Sequence, residues 1–161
     1  MSTPSHQILS HQIPGYQIPG YQIGPLLAAD LPAALELWGR TAGLVLNESD
    51  TPERLAAYLD RNPGLSRLAC SDQGLLVAAV LCGHDGRRGS LHHLAVAADH
   101  RQQGLGSALV KSCLAALAQA GILKCNIFLL AGNEEGRQFW SSQNWSPRPD
   151  LEVHQQRCRL P

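Results

Sequence analysis

The sequence predicts an α/β domain, of the mixed α+β kind, with a central twisted mixed β-sheet flanked by about four helices. Segments with helical spacing of apolar residues alternate with strand-like runs along residues 21–161, which is typical of mixed architectures. Apolar residues make up 44% of the chain and charged residues 16%, a composition that supports a buried core. One strand–helix–strand unit has a connection long enough for a parallel crossover. The 161 residues therefore indicate one folded domain with an N-terminal extension.

The charge balance and the cysteines limit the classes of partner. Lys plus Arg number 13 and Asp plus Glu number 13, so we expect neither a nucleic acid nor a membrane as partner. No apolar run reaches the roughly 20 residues of a membrane span, and the N-terminus has no signal-peptide pattern. The cysteines lack metal-ligand spacing, so we expect no metal, reduced thiols and a cytoplasmic location.

Residues 1–20 form a low-complexity extension built from a five-residue repeat. The triplet HQI at residues 6 and 11 recurs as YQI at residues 16 and 21, with Pro-Gly pairs between the later copies. Such pairs interrupt helices and strands, so we expect a mobile extension and a domain that begins at Tyr21. The alternative is a docking peptide that fills a groove of another subunit, which leaves a homodimer open.

Two helices and a β-hairpin are predicted next. Asp30 and Thr51 are candidate N-caps, and each precedes a proline in the first turn of its helix. Strands are predicted over residues 65–70 and 75–82, because these β-rich runs flank a polar turn that ends in glycine.

A crossover unit follows the hairpin. SLHHLAV (residues 90–96) is predicted as a strand, and an amphipathic helix then extends to Ala120, with Gly121 just beyond its end. The apolar run at residues 124–132 is typical of a strand that is covered on both faces, as in parallel pairing.

The last predicted helix has Asn133 as N-cap and Asn144 in the left-handed conformation beyond its end. Two terminal strands, near residues 145–148 and 151–160, complete the predicted sheet.

Two glycines at the start of the crossover helix, in HRQQGLGS, indicate an anion site. A helix N-terminus leaves about four amides without partners and carries partial positive charge. The absence of Cβ atoms at Gly104 and Gly106 would admit an anion, and Arg101 adds a fixed positive charge. The alternative is a tightly packed turn. A dinucleotide loop would need glycine at Leu109, and a Walker loop would end in Gly-Lys-Ser/Thr, so both nucleotide motifs are excluded.

LAVAADHRQQGLGSALV resembles the central motif of the GCN5-related N-acetyltransferase (GNAT) family, an apolar strand followed by R/Q-x-x-G-x-G/A. LAGNEEGRQFWSSQNW is similar to the strand end, asparagine and following helix of that family. The resemblance implies the GNAT fold for residues 21–161. It also implies an acetyl-CoA-dependent N-acetyltransferase, which transfers the acetyl group directly to an amine in a ternary complex.

The resemblance further implies which residues bind acetyl-CoA as co-substrate. Those around the diphosphate are Arg101, Gln102, Gln103, Gly104, Leu105, Gly106 and Ser107. The strand backbone is expected to meet the pantetheine arm and the thioester at three residues, Leu94, Ala95 and Val96. Asn133 is expected to contact the pantetheine, and Phe139 and Trp140 to line the acyl end.

A general base is expected because an alkylamine with a pKa of about 10.4 is almost entirely protonated at pH 7. His92 is the candidate base and His93 the weaker candidate. Strand alternation places the two histidines on opposite faces of the sheet, unless a bulge intervenes. Histidines before LAV resemble the arylalkylamine N-acetyltransferase branch, in which they help to remove the proton of the amine. The alternative is a paired or solvated strand histidine.

Trp140 departs from the family pattern. Many members have a tyrosine there that protonates the departing thiolate, whereas an indole N–H cannot act as that acid. Water or Ser141 would then supply the proton, or no acid is needed. If catalysis has been lost, the alternative function is a non-catalytic acyl-CoA-binding sensor or partner module.

The acceptor is expected to be an amine, either a small molecule or an amine of a protein. In the family, the segment between the first two helices borders the acceptor cleft. Its acidic residues here, Glu48, Asp50 and Glu53, would favour a cationic amine. The alternative is that they only cap and solvate the start of the second helix.

Overall fold

The structure, a computed structural model, describes residue 13 and residues 15–159. Its strands are β1 Tyr21–Pro25, β2 Arg67–Ser71, β3 Leu76–His84, β4 Gly89–Val96 and β5 Cys125–Ile127. Its helices are α1 Leu31–Gly39, α2 Pro52–Arg61, α3 Leu105–Gln119 and α4 Glu134–Ser142. Short 3₁₀ turns at Ala28–Asp30 and Ala98–His100 precede α1 and α3. The predicted α/β architecture, a mixed sheet with four helices, is confirmed.

The five strands form one sheet in the order β1-β2-β3-β4-β5. The first four strands are antiparallel to their neighbours, whereas β4 and β5 are parallel. Parallel neighbours need a long crossover, which α3 provides as the sequence predicts. The N-terminus of α3 therefore lies at the end of β4 from which the chain leaves the sheet.

Helices cover both faces of the sheet and create two buried clusters. The cluster under α3 includes Val80, Cys82, Leu91, Leu109, Val110 and Leu117. The cluster under α1 and α2 includes Leu37, Trp38, Leu55, Leu68, Ala79 and Leu81. All five cysteines are free, and Cys70, Cys82 and Cys113 are buried.

Most of the predicted helix ends are confirmed. Thr51 Oγ1 accepts a hydrogen bond from the Arg54 amide at 3.3 Å, and Asn133 Oδ1 accepts one from the Gly136 amide at 2.9 Å. Asn144 has φ of 62°, the left-handed conformation that ends a helix. Asp30 precedes α1 as predicted, but its carboxylate accepts from the Leu27 amide at 2.9 Å and does not cap α1.

A bulge in β4 overrides simple strand alternation. Between the pairs Ala79–Ala95 and Leu81–His92, β4 carries one residue more than β3. His93 has φ of 54°, in the left-handed region that costs an L-residue roughly 1–2 kcal/mol. This bulge is the exception to strand alternation that the sequence prediction allowed, and His92 and His93 do not lie on opposite faces. Both rings lie on the α1 and α2 side, because an extra residue shifts the alternation by one.

The two predicted terminal strands are absent from residues 145–159. Pro147 and Pro149 have no amide hydrogen for a strand ladder, which disfavours pairing at the start of this segment. Leu151 and Val153 are 60% and 75% exposed, so neither residue contributes a buried face that would fix a strand register.

β5 is shorter than predicted and is not covered on both faces. It ends at Ile127, and Phe128 just beyond it is 64% exposed. The apolar run therefore leaves the sheet after three residues.

Part of the predicted extension packs on the domain. Ile13, Tyr16 and Ile18 contact the cluster under α3, and the Ile13 amide donates to the Ile23 carbonyl at 3.4 Å. The Tyr16 hydroxyl donates to the Lys111 carbonyl at 3.3 Å. Residues 1–12 and 14 lie outside the described residues, and the mobility of the extension stays a prediction.

These contacts predict that residues 13–20 contribute to stability. A chain that starts at Tyr21 should lose about 1–3 kcal/mol of unfolding free energy relative to one that starts at Ile13, since apolar contacts are removed. Urea denaturation of the two purified chains measures this difference. Equal midpoints and slopes would show that the segment adds nothing to the folded state.

Candidate functional site

The site begins where β4 and β5 separate. Their pairing ends at Leu91 with Ile127, whereas β4 continues to Val96. From His92 to Val96, the β4 edge that faces away from β3 has no strand partner among the described residues. Such an edge offers backbone donors and acceptors to a ligand.

A cavity of about 590 Å³ follows this edge. Four segments line it: the loop after α1 (residues 41–45), β4, the turn and start of α3 (residues 100–107), and residues 127–143. Its volume is in the range of small-molecule and cofactor sites.

The start of α3 carries a row of unpaired amides. The backbone amides of residues 102–107 donate to no described residue. Gln102 and Gly104 have φ of 58° and 83°, and such left-handed residues turn successive N–H groups toward one concave surface. Together with the helix dipole, this arrangement suits an anion.

Arg101 lines the cavity beside this row of amides. Its Nε donates to the Val96 carbonyl at 3.2 Å, and its Nη1 pairs with Glu135 of α4 at 3.2 Å. The guanidinium is thus held beside the row of amides by two elements, and it remains 42% exposed.

Gly104 and Gly106 are required for different reasons. Gly104 needs its positive φ, and a Cβ there would have only Ile18 within 4 Å, at 3.8 Å. A Cβ on Gly106 would lie 3.2 Å from two ring carbons of Phe139. The tightly packed turn thus accounts for Gly106, whereas Gly104 shapes the amide row.

The α4 side of the cavity is aromatic. The rings of Phe139 and Trp140 meet edge to face at 5.1 Å, and Trp140 meets Trp145 in the same way at 4.9 Å. Asn133 uses its Oδ1 to cap α4 and approaches Gly43, where an added Cβ would lie 2.6 Å from Asn133 Nδ2. Asn133 therefore joins α4 to the loop after α1 across the cavity.

His92 is half-buried, and its surroundings favour the uncharged form of the imidazole ring. Its ring stacks on Phe128 at 6.1 Å and meets the ring of Tyr58 edge to face at 6.4 Å. Burial lowers the pKa of His92, and the charge of His93 lowers it further, while Asp50 acts in the opposite direction. The neutral form, which accepts a proton, is therefore favoured at neutral pH.

His93 is paired with a buried carboxylate. Its Nε2 lies 2.7 Å from Asp50 Oδ1, and the two side chains are 15% and 8% exposed. The His93 ring also packs on Trp38 of α1 at 5.4 Å between centroids.

The structure brings most of the predicted site residues to one cavity. Those that line it are His92, Leu94, Ala95, Val96, Arg101, Gln102, Gly104, Leu105, Gly106, Ser107, Asn133, Phe139 and Trp140. Gln103 instead lines a second cavity of about 420 Å³, with Tyr21 and Asp72. Their roles stay predictions.

The segment between the first two helices was expected at the acceptor cleft, and residues 41–45 of it line the cavity, but sequence reasoning missed the pairing of Asp50 with His93. Two adjacent histidines in a strand signal that something must break the alternation if both are to face one cavity. The acidic residues are also dispersed: Glu48 is exposed and pairs with Arg157 at 3.1 Å, whereas Asp50 is buried.

Among residue 13 and residues 15–159, no group of three or more His, Cys, Asp or Glu side chains is arranged to hold a metal ion. No helix within that part of the chain is long and apolar enough to span a membrane.

Comparison with known proteins identifies the architecture. A family model described as Acetyltransferase (GNAT) family matches residues 31–144. An acetyltransferase of Yersinia pestis (strain Pestoides F) is 34% identical over 105 residues, which cover 65% of this chain and 73% of that protein.

Solved structures share the fold at lower sequence identity. Ard1 from Thermoplasma volcanium has a TM-score of 0.67 at 15% identity, over 76% of this chain and 80% of that one. The PaiA N-acetyltransferase from Thermoplasma acidophilum, solved in complex with coenzyme A, has a TM-score of 0.64 at 18% identity. The match covers 76% of this chain and 87% of that one.

The close approach of Gly106 to Phe139 predicts the effect of adding one methyl group. Gly106→Ala should lower the free energy of unfolding by up to about 1 kcal/mol, because the Phe139 ring, which packs edge to face on Trp140, must shift by a few tenths of an ångström to admit the methyl group. Thermal and urea denaturation of the variant and the wild type measure this difference in the free energy of unfolding. The matched control is Gly39→Ala in α1, where a Cβ meets only Leu46, at 3.8 Å, and stability should not fall. Equal effects of the two variants would contradict the packing argument.

Proposed function

The chain belongs to the acetyltransferase (GNAT) family, and we propose that it transfers the acetyl group of acetyl-CoA directly to the nitrogen of an amine. The observation that carries the proposal is the continuity of one cavity, from the unpaired amides of residues 102–107 to the unpaired edge of β4.

The first part of this cavity suits the diphosphate of coenzyme A. Hydrogen bonds to charged groups contribute about 1.5–3 kcal/mol each, so a few amides and one guanidinium suffice without a cluster of lysines. In this proposal Arg101, Gln102, Gly104 and Ser107 lie at the diphosphate. Gly106 keeps Phe139 close to the same helix start.

The β4 edge suits the pantetheine arm, which carries amide groups that can pair as a short strand does. Leu94, Ala95 and Val96 are proposed to offer backbone groups there, and the Val96 carbonyl already accepts from Arg101 Nε. Asn133 faces the arm from α4, and Phe139 and Trp140 line the apolar end toward the acetyl group. Such a channel keeps water away from the reacting atoms.

Acetyl-CoA supplies a thioester whose carbonyl carbon is open to attack by a neutral amine. The amine reaches the site protonated, because its pKa lies far above neutral pH. His92 lines the cavity in its favoured neutral form and is proposed to take the proton of the amine, directly or through water.

Trp140 is held in an aromatic cluster with Phe139 and Trp145. Its indole cannot protonate the departing sulfur, so water, Ser141 or no acid at all stay the alternatives from the sequence, and Ser141 does not line the cavity. The acyl-CoA-binding sensor remains the alternative function, and Trp140 is the observation that motivates it.

The acceptor is proposed to enter between the loop at residues 41–45 and the β4–β5 opening. Val45 and Phe128 stand exposed there, at 61% and 64%. The likeness to the arylalkylamine branch, a cytoplasmic location and a homodimer stay predictions.

An acetyl-transfer assay tests the proposal. The full chain is incubated with acetyl-CoA and four probe amines: phenethylamine, spermidine, a peptide with a free N-terminal alanine, and a peptide with an internal lysine. Release of free thiol that depends on the amine supports catalysis. Tight binding of acetyl-CoA in calorimetry without transfer to any amine would favour the sensor, and no binding would refute both functions.

Arg101→Ala should weaken coenzyme A binding about 10-fold, because a charged hydrogen-bond donor beside the diphosphate is lost. Calorimetric titration with coenzyme A measures the dissociation constant. Arg137→Ala is the matched control, since Arg137 is exposed on α4, pairs with Glu134 at 3.3 Å and does not line the cavity. Equal affinities of the two variants would place the diphosphate elsewhere.

The pH dependence of kcat reports the proposed role of His92. Burial lowers the pKa of His92 below the usual value of about 6.5, so its neutral form persists as the pH falls through that value. The acidic limb should therefore lie below pH 6.5, and His92→Gln should reduce kcat about 100-fold. His154→Gln, in the exposed tail, should change neither the acidic limb of the profile nor kcat. An unchanged kcat in His92→Gln would exclude this base.

A further inference from the structure

We propose that the N-terminal hairpin, residues 16–23, positions the turn at residues 101–104 that receives the diphosphate of coenzyme A, with Ile18 and Tyr21 as the positioning residues. The proposal rests on the acetyl-CoA site proposed above, and it assigns a role to the last two copies of the five-residue repeat. Three observations carry it: the two copies fold back on each other, they contact both ends of the turn, and the turn has few bonds of its own.

The repeat itself accounts for the hairpin. Its last two copies are separated by Pro19 and Gly20, which suit the two central positions of a type II turn. Gly20 has φ of 84°, the Tyr21 amide donates to the Ile18 carbonyl at 3.0 Å, and Ile18 and Tyr21 form an antiparallel bridge. The Asp72 amide donates to the Gly20 carbonyl at 3.2 Å. The hairpin is therefore fixed to the loop between β2 and β3, with Ile18 and Tyr21 next to each other.

Tyr21 holds the residue that precedes the turn. Its hydroxyl lies 3.0 Å from His100 Nδ1, and the two rings meet edge to face with 5.7 Å between their centroids. His100 ends the 3₁₀ turn Ala98–His100, and Arg101 follows it directly on the wall of the cavity. A fixed His100 therefore sets the point at which the chain enters the row of unpaired amides.

Ile18 supports the other end of the turn. Its Cδ1 lies 3.8 Å from the position that a Cβ on Gly104 would take, so Ile18 lies next to the side of Gly104 from which a side chain would project. Gln103, between the two ends, lines the second cavity together with Tyr21 and not the cavity at the β4 edge. The outer side of the turn therefore faces the hairpin, whereas its inner side faces the proposed diphosphate.

The turn has little to hold it from within. In the part of the chain that the structure describes, the backbone amides of Gln102, Gln103 and Gly104 donate to no partner. Gln102 has φ of 58°, a left-handed conformation that a residue other than glycine keeps only where its surroundings hold it. The contacts at His100 and Gly104 supply that support from outside. Because ordering a loop on binding costs affinity, a turn that is ordered beforehand binds its ligand more tightly.

Removal of one hydroxyl group from the full chain tests the contact of Tyr21. Tyr21→Phe keeps the ring and loses the bond to His100, so the dissociation constant of coenzyme A in calorimetry should rise about 5-fold. Tyr16→Phe is the matched control, since it removes the same group from the preceding copy of the repeat, where the hydroxyl donates to the Lys111 carbonyl within α3. Its affinity should stay within about twofold of the wild type. Equal dissociation constants in the two variants would overturn the role of Tyr21.

Truncation of one isoleucine tests the contact of Ile18. Ile18→Ala should raise the dissociation constant of coenzyme A about 10-fold, because Gly104 loses its outer support. Ile13→Ala is the matched control, since Ile13 packs on the same cluster under α3 and its amide donates to Ile23 in β1. Both variants should lose unfolding free energy in urea, but only Ile18→Ala should lose affinity. A loss of affinity that follows the loss of stability in both variants would show a merely structural role and overturn the proposal.

Kinetics separate positioning from catalysis, because the turn lies at the diphosphate end of the cavity and the thioester is proposed at the β4 edge. With whichever of the four probe amines the wild type acetylates fastest, Ile18→Ala and Tyr21→Phe should raise the KM of acetyl-CoA. Their kcat should stay within about twofold of the wild type. A fall in kcat at unchanged KM would contradict the assigned role.

Backbone order parameters from ¹⁵N relaxation give a readout that needs neither turnover nor ligand. In the unliganded full chain, the amides of residues 101–104 should have values of about 0.85 in the wild type and Ile13→Ala, and should fall toward about 0.6 in Ile18→Ala. Unchanged order parameters in Ile18→Ala would overturn the proposal even if coenzyme A binds. If coenzyme A does not bind the wild type, the proposed function fails, and the order parameters alone decide whether the hairpin holds the turn.

Discussion

The site depends on a change of strand partners along β4. Up to Leu91 the strand has β3 on one side and β5 on the other, and beyond Leu91 its only strand partner within the described part of the chain is β3. A continuous parallel pair would have consumed every backbone group on that edge and left no cavity. The bulge at His93 falls in the stretch that has lost its β5 partner, where an extra residue disturbs no second ladder. The same stretch of β4 backbone therefore both opens the cavity and turns His92 and His93 to one face of the sheet.

A second contact ties the two ends of the cavity together. Gly106 lets Phe139 of α4 approach the first turn of α3, and Arg101 links the Val96 carbonyl to Glu135 of α4. The strand end, the helix start and α4 therefore hold one another. α4 itself has no buried residue and its ion pair with Arg101 is exposed, so the contact of Phe139 with the start of α3 is the main packing between the two helices. It also explains why Gly106, which the sequence motif assigns to a ligand site, serves the packing of the protein itself.

The sequence predicted what depends on local chemistry and failed where long-range packing decides. The caps at Thr51 and Asn133, the left-handed Asn144 and the crossover through α3 follow from short-range rules, and all are present. The terminal strands were wrong because alternation alone cannot fix a strand when no face becomes buried. A bulge was named as an exception to alternation, but its presence could not be predicted because His93 has none of the glycine signals that mark positive φ. The partnership of Asp50 with His93 joins residues that are 43 apart in the chain, which no spacing rule reaches.

Unsatisfied polar groups also gather around the two histidines. Within the described residues, the buried side-chain atoms that lack a hydrogen-bond partner are Trp38 Nε1, Tyr58 OH and Ser71 Oγ. Trp38 packs on His93 and Tyr58 on His92, so two of these atoms belong to the aromatic rings that hold the imidazoles. The positive φ of His93 and the aromatic packing on both imidazoles therefore lie in one short stretch of β4, where that strand has no β5 partner among the described residues. Because no second ladder constrains this stretch, the rings of Trp38 and Tyr58 are among the contacts that orient the two imidazoles, and the strained backbone persists because the surrounding packing holds it.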